Sequence, residues 1–333
     1  MIEVRATASA GRGVFATAPI PSGTQLVRAL PFAIAPSDSC ALTHCCVCLQ
    51  RVANASTCPR CESAVLCARC ASSASSSKIH DDECAALKLL AAAPADQKPK
   101  ITRSLRLLIR CLCARWRERI GQPYIGEDGE SWWGDGDFAA DEMEDIDALV
   151  GPPDNDDVES DDSGNGAIDD YEGEDVRSGA LSADLFEMAK QARFYASSET
   201  RLGHGACAEL MGRLCCNTLT IYGEARNGEA TREVGVALSA GVAMFNHNCN
   251  PNADWSLDSS GCLVVHTTRS VRTGEELCLS YVDIKWPRER RRAFLRKHFF
   301  FECTCEVCVP PRADAAPAAA GRADEVARKR RRT

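Results

Sequence analysis

Residues Phe245 to Asn252 read FNHNCNPN, directly after the apolar run VGVALSAGVAM. Asparagine alternates there with His247, Cys249 and Pro251 at the end of a segment whose composition says it is buried. Amide side chains in such a place need hydrogen-bond partners, because an unpaired buried polar group is costly. Cys249 has three readings: a core residue, a nucleophile or a metal ligand. The rest of the sequence chooses among them.

The chain has 333 residues and 20 cysteines. That length is enough for one large domain or two modest ones. No apolar run reaches the ~20 residues a membrane helix needs, and the first twenty residues lack a signal-peptide core. A soluble intracellular protein is expected. In a reducing compartment metal ligation is a better use of cysteine than disulfides, with a secreted disulfide framework as the competing reading. The net charge of −8 is segregated: 21 of the 47 acidic residues, and none of the 39 basic ones, fall between Glu127 and Asp175. The remainder therefore carries 39 basic against 26 acidic residues. Polyanion contact fits such a body, and so does simple solubility.

The clearest chemistry lies between Cys45 and Cys84. The pairs Cys45 and Cys48, Cys58 and Cys61, and Cys67 and Cys70 each enclose two residues, and His80 with Cys84 encloses three. Two intervening residues let both sulfurs of a turn face one ion. His80 and Cys84 fall one helical turn apart on the same face. Eight ligands make two tetrahedral zinc sites, which supply folding free energy that so short a segment cannot gain from a core. Cys40 and Cys46 fall outside the spacing, although Cys46 could replace Cys45 by a shift of one residue. Elsewhere, ITRSLRLLIRCLCARWRERI reads as an amphipathic helix with Ile101, Leu105, Leu108, Ile109, Leu112 and Trp116 on one face, opposite arginines. Residues 182–195 and 287–298 also read as helical. The stretches CCNTLTIYG, GVALSAGVAMF, GCLVVHTTRSV and EELCLSYV read as short strands between turns. The region from Gly121 to Gly179 is too charged and too poor in hydrophobes to offset chain entropy, so disorder is expected. Five consecutive basic residues, Arg328 to Arg332, form either a nuclear-import signal or a solvated end.

The cysteine cluster resembles the MYND zinc finger, although that family usually leaves three residues between its fifth and sixth ligands. The order GRG (Gly11, Arg12, Gly13), FNHNCNPN, TGEELCLSYVD (Thr273 to Asp283) and FECTCEVC (Phe301 to Cys308) resembles the SET domain of lysine methyltransferases, with the finger inserted as in the SET-MYND family. The resemblance implies a mainly β fold with α, the β-clip SET fold with its pseudoknot. It divides the chain into residues 1–44 as the N-terminal part of the SET domain, 45–84 as the finger and 85–120 as a helical linker. An acidic disordered insertion (121–180), a helical insert with the SET core (181–282), a post-SET segment (283–308) and a basic disordered tail (309–333) follow. It implies a short form without the helical C-terminal domain of several relatives.

By the same resemblance, S-adenosylmethionine would meet Gly11, Arg12, Gly13, Asn246, His247 and Asn217, with Phe301 stacked on its adenine. Asn217 reads equally as a strand-end amide that caps a turn. Tyr281 corresponds to the catalytic tyrosine, which would orient the methyl group and the lysine nitrogen. Cys45, Cys48, Cys67 and Cys70 would hold one zinc ion, and Cys58, Cys61, His80 and Cys84 a second. Cys249 would complete a third with Cys303, Cys305 and Cys308. Phe299 and Phe300 are expected in the core, and the other cysteines, among them Cys111, Cys113 and Cys278, are expected as buried small hydrophobes. The implied activity is methyl transfer to a lysine of a protein, a histone tail among the candidates, by a monomer in nucleus and cytoplasm. The finger would bind proline-containing peptides. The alternative is an inactive SET-MYND scaffold in transcriptional or chromatin regulation. Direct nucleic-acid binding has no recognition motif behind it. The motif's serine is Asn248 here, a departure with no explanation in the sequence.

Overall fold

The computed structural model describes residues 1–7, 10–94, 102–122, 124, 149, 189–192, 204–223 and 231–309. The expected acidic insertion and basic tail lie almost entirely outside them, as does most of the helix expected over 182–195, of which 189–192 are helical.

Three antiparallel three-stranded sheets carry the fold. The first pairs β1 (Ile2–Ala6), β2 (Arg12–Ala16) and β9 (Glu276–Leu277). The second pairs β3 (Gln25–Ala29), β8 (Leu263–Thr267) and β7 (Ala253–Leu257), and the third β4 (Ala33–Pro36), β6 (Glu233–Leu238) and β5 (Thr218–Tyr222). Strands β4 and β6 are nearly continuous apolar runs because both their faces are covered. Gly235 of β6 is obligatory there, since a Cβ would lie 2.5 Å from the Ala35 carbonyl oxygen and 2.5 Å from Leu49 Cδ1.

The finger contributes α1 (Ala68–Ser72) and α2 (Ala74–Ala92), and α3 (Arg103–Arg119) packs on α2 and β4. Thr102 caps α3, accepting from Leu105 N at 3.2 Å. This helix is not one-sided as its sequence suggests: Arg106, Arg110 and Arg117 are buried together with Leu107, Cys111 and Cys113. Helix α4 (His204–Asn217) runs into β5, where the sequence reads as strand alone. A short helix α5 (Ala240–Ala243) interrupts the expected strand before Phe245, and α6 (Arg288–Phe299) agrees closely with the expected helix. All 20 cysteines are free thiols, and of those outside the ligand sets only Cys216 is not buried.

The segment 246–252 threads past 278–281 instead of pairing in a sheet. Asn248 N donates to the Leu279 carbonyl at 2.9 Å, Leu279 N to that of Asn246 at 3.0 Å, and Ala253 N to that of Cys278 at 3.1 Å. Asn252, 3% exposed, locks the crossing. Its Oδ1 accepts from Cys278 N at 2.8 Å, and its Nδ2 donates to the Glu276 carbonyl at 2.8 Å.

Candidate functional site

Each of the three expected ligand sets is gathered: Cys45, Cys48, Cys67 and Cys70; Cys58, Cys61, His80 and Cys84; Cys249, Cys303, Cys305 and Cys308, with donor atoms inside 4.8 Å of one another. A zinc ion with Zn–S bonds of about 2.3 Å places ligands of a tetrahedron about 3.8 Å apart. The contacts match: Cys48 to Cys67 at 3.7 Å, Cys58 to Cys84 at 3.8 Å, Cys61 to His80 Nε2 at 3.8 Å and Cys249 to Cys303 at 3.9 Å. Local structure explains the convergence. Leu49 and Glu62, directly after two Cys-x2-Cys turns, adopt left-handed φ values of 55° and 54°, and their amides close on Cys45 O and Cys58 O. Such a conformation costs about 1–2 kcal/mol in a residue other than glycine, a cost that metal binding offsets. Cys67 caps α1, and Cys70, one turn on, donates its amide to the Cys67 sulfur at 3.4 Å, which brings the shorter-spaced Cys70 into the set.

Without an ion the thiols divide the charge unevenly. Hydrogen bonds from Cys48 and Cys70 hold Cys45 far below the usual thiol range, and in turn Cys48 is pushed up to about 12. In the third set burial pushes Cys249 up to about 11, whereas the hydrogen bonds on Cys305 outweigh its burial and bring it down to about 7. In both four-sulfur sets three of the four cysteines are buried, which suits a closed structural zinc site.

A fourth group, Cys46, His80 and Glu83, also has its donor atoms together. It is already filled by cations. Glu83, 0% exposed, accepts from Arg106 Nη2 at 3.2 Å, Arg110 Nη2 at 2.6 Å and Arg110 Nε at 2.8 Å, and lies 3.2 Å from His80 Nδ1. Arg110 Nη1 also donates to the carbonyls of Ile34 and Cys46. Glu83 thus orients the ring whose Nε2 faces the cysteines, as carboxylates do behind metal-bound histidines.

At the crossing, Asn246 Nδ2 donates to the Arg12 carbonyl at 2.9 Å and to Glu276 Oε1 at 2.8 Å, which fixes the orientation of the amide. Its Oδ1 is left without a donor among the described residues. Gly13 makes this approach possible, for a Cβ there would lie 2.5 Å from Glu276 Oε1 and 2.8 Å from Asn246 Nδ2. Gly11, at φ 69°, turns the chain into β2. His247 has both ring nitrogens engaged: Nδ1 accepts from Tyr281 N at 3.0 Å and Nε2 lies 3.3 Å from Cys249 Sγ. Burial, with the nearby Arg291, lowers its pKa to about 4, so the ring is neutral with its proton on Nε2. The parallel bridge to Leu279 uses the backbone groups of Asn246 and Asn248, so the N–H and C=O of His247 face away from it.

The Tyr281 hydroxyl donates to the Phe245 carbonyl at 2.8 Å, and burial raises the phenol well above its ordinary pKa. Its ring lies 4.9 Å from Phe299, 5.3 Å from His247 and 6.5 Å, edge-on, from Phe301. Phe299 is a wall residue that the sequence reading assigned to the core. Asn217 ends α4, donates to the Arg213 carbonyl at 2.8 Å and lines a cleft with Trp255, Ser280, Tyr281, Trp286 and Phe299. Gly13, Asn246 and His247 are not part of that cleft; Tyr281 touches both regions. Asn248 Oδ1 accepts from Asn250 N at 2.8 Å, the same side-chain turn that a serine makes, which accounts for the departure from the motif.

Compared with known families, residues 11–282 match the SET domain. The chain belongs to the SET domain family. Within it the likeness is to SET-MYND proteins. It is 35% identical over 100 residues to the histone-lysine N-methyltransferase SMYD3 of Homo sapiens, covering 30% of this chain and 22% of that protein. It is 32% identical over 95 residues to a SET and MYND domain-containing protein of Dictyostelium discoideum, covering 28% and 18%. With the N-lysine methyltransferase SMYD2-B of Xenopus laevis the identity is 30% over 124 residues, covering 37% and 27%. The matched part of the chain thus spans less than a third of the length of these curated relatives. The three sulfur-rich sets correspond to the MYND and post-SET zinc motifs of this SET-MYND architecture.

In the SET domain the residues around the crossing fit S-adenosylmethionine. The accessible Asn246 Oδ1 suits an ammonium, the backbone pair of His247 suits the donor–acceptor edge of adenine, and the half-buried Phe301 ring lies 6.0 Å from the His247 ring. Among the described residues, no helix is long and apolar enough to cross a membrane.

Proposed function

We propose that this SET-MYND chain transfers a methyl group from S-adenosylmethionine to a lysine side chain of a protein, histone or non-histone. When bound, the cofactor supplies an electrophilic sulfonium methyl. Asn246, the His247 backbone, Gly11, Arg12, Gly13 and Phe301 bind it on one side of Tyr281. The cleft lined by Asn217, Trp255, Tyr281 and Phe299 admits lysine from the other. A free lysine has a pKa of about 10.4, and the aromatic walls would strip water from the ammonium so that it gives up a proton to solvent. Its neutral amine could then take the methyl group in line, with S-adenosylhomocysteine as the leaving group. The Tyr281 hydroxyl, anchored on the Phe245 carbonyl, keeps its lone pairs for the methyl C–H groups and the amine. The three ligand sets hold structural zinc ions, the finger over 45–84 takes proline-containing peptides, and the basic run at the end supports nuclear entry.

The observation that carries this reading is Tyr281 itself. Its backbone hangs from the His247 ring while its own ring and hydroxyl border the cleft. Calorimetry with S-adenosylmethionine on zinc-loaded protein tests it: saturable binding, weakened about tenfold or more in Asn246→Ala, is expected. No binding by the fully loaded chain would leave the scaffold.

A further inference from the structure

Four thiolates around a divalent ion carry a net charge of two minus, and in the third set Cys249, Cys303 and Cys308 are all buried. A buried charge of that size calls for a partner. Helix α6 is crowded with arginines, and of these Arg291 is the one that is buried as a residue. Arg288 pairs with Glu289 and reaches only the backbone carbonyl of Cys308, at 3.4 Å, Arg290 lies over the Trp286 ring, and Arg292 and Arg296 reach Glu302. Arg291, 6% exposed, donates from Nε to Cys249 Sγ at 3.3 Å and from Nη1 to the carbonyl of Trp286 at 2.6 Å. The same sulfur faces His247 Nε2, whose ring holds the backbone of Tyr281.

We infer that Arg291 is a positioning residue that offsets the thiolate charge of the post-SET zinc site and, by clamping the turn before α6 to Cys249, fixes the aromatic wall beside Tyr281. The inference rests on the reading that Cys249, Cys303, Cys305 and Cys308 hold zinc. The clamp lies in the first turn of α6, and the helix carries Phe294 one turn on and Phe299 at its other end, where Phe299 meets Tyr281. Losing the guanidinium therefore loosens the ion and the wall together. Lysine keeps the charge at this position but cannot reach the sulfur and the carbonyl at once through a planar fork.

Zinc release from the full, zinc-loaded chain to a chromogenic chelator tests this, with Arg291→Met, Arg291→Lys and the exposed neighbour Arg290→Met compared with the parent. The parent is expected to release three ions. In Arg291→Met one of the three should leave about 10–100-fold faster, the range typical of lost partners behind metal ligands, while the other two keep parental rates and report an intact fold. Arg291→Lys should fall between, Arg290→Met should match the parent, and affinity for S-adenosylmethionine should drop in Arg291→Met. Parental release of all three ions from Arg291→Met would overturn the inference. Equal acceleration of all three would overturn it too, as general loosening. A parent holding only two ions would instead remove the post-SET zinc reading itself.

Discussion

Replacing Glu83 by glutamine keeps the shape of the side chain and removes one charge, and the consequence can be worked out atom by atom. In the parent, Oε1 accepts from Arg106 Nη2 and Arg110 Nη2 and faces His80 Nδ1, while Oε2 accepts from Arg110 Nε at 2.8 Å and Arg106 Nε at 3.4 Å. Burial alone would raise this carboxyl, but Arg106 and Arg110 hold it well below the usual range, so it is ionised throughout the working pH range. In Glu83→Gln an NH2 group must point at arginine N–H donors, and two guanidinium groups, 2% and 3% exposed, lose their counterion. Removing one partner of a buried ion pair costs about 3–5 kcal/mol. At about 2–4 °C per kcal/mol for a chain of this size, Tm should fall by about 6–20 °C, measured by circular dichroism on zinc-loaded protein. Because the groups act as a unit, Arg106→Met should cost less in the Glu83→Gln background than in the parent. A fall in Tm of less than about 2 °C would mean that the cluster behaves as a surface ion pair and that Glu83 is not the counterion holding the two arginines inside.

Gly13→Ala should leave the melting temperature near the parental value, since alanine is tolerated in a strand, yet weaken S-adenosylmethionine binding about tenfold or more by displacing Asn246 and Glu276. Unchanged calorimetric affinity would contradict this. Glu275 is lowered from an ordinary 4.5 to about 2, its burial outweighed by the Arg272 amide, the Arg269 guanidinium and the Asn252 amide. Its stabilising contribution is therefore complete above about 4.5 and lost as pH falls toward about 2. Urea unfolding of Glu275→Gln beside the parent should show a difference that shrinks over that range, and a difference that grows with acid would reverse the sign of the argument.

The zinc sets were legible because ligand spacing is chemistry written locally: two residues between cysteines, or one helical turn between His80 and Cys84, leave few other uses. The crossing was legible for a related reason, as FNHNCNPN and TGEELCLSYVD combine buried neighbours with amides that need partners. Burial of Arg106 and Arg110 was not, because their partner Glu83 lies on another helix and periodicity alone sends arginines to solvent. Arg291 was hidden in the same way among the other arginines of α6. The sequence reading missed α4, although Cys207, Leu210, Met211 and Leu214 follow helical spacing and are buried. The β-branched residues that follow drew the reading toward a strand. The family resemblance gave His247 to the cofactor through backbone and side chain alike; its ring lies between Tyr281 N and Cys249, which leaves its backbone for that role.

The most direct measurement incubates the zinc-loaded chain with methyl-labelled S-adenosylmethionine and a protein extract, beside Tyr281→Phe, and identifies the labelled amino acid after hydrolysis. Label recovered as methylated lysine, and strongly reduced by Tyr281→Phe, is the predicted result. Cofactor binding without transfer to any protein, or equal transfer by Tyr281→Phe, would contradict the account.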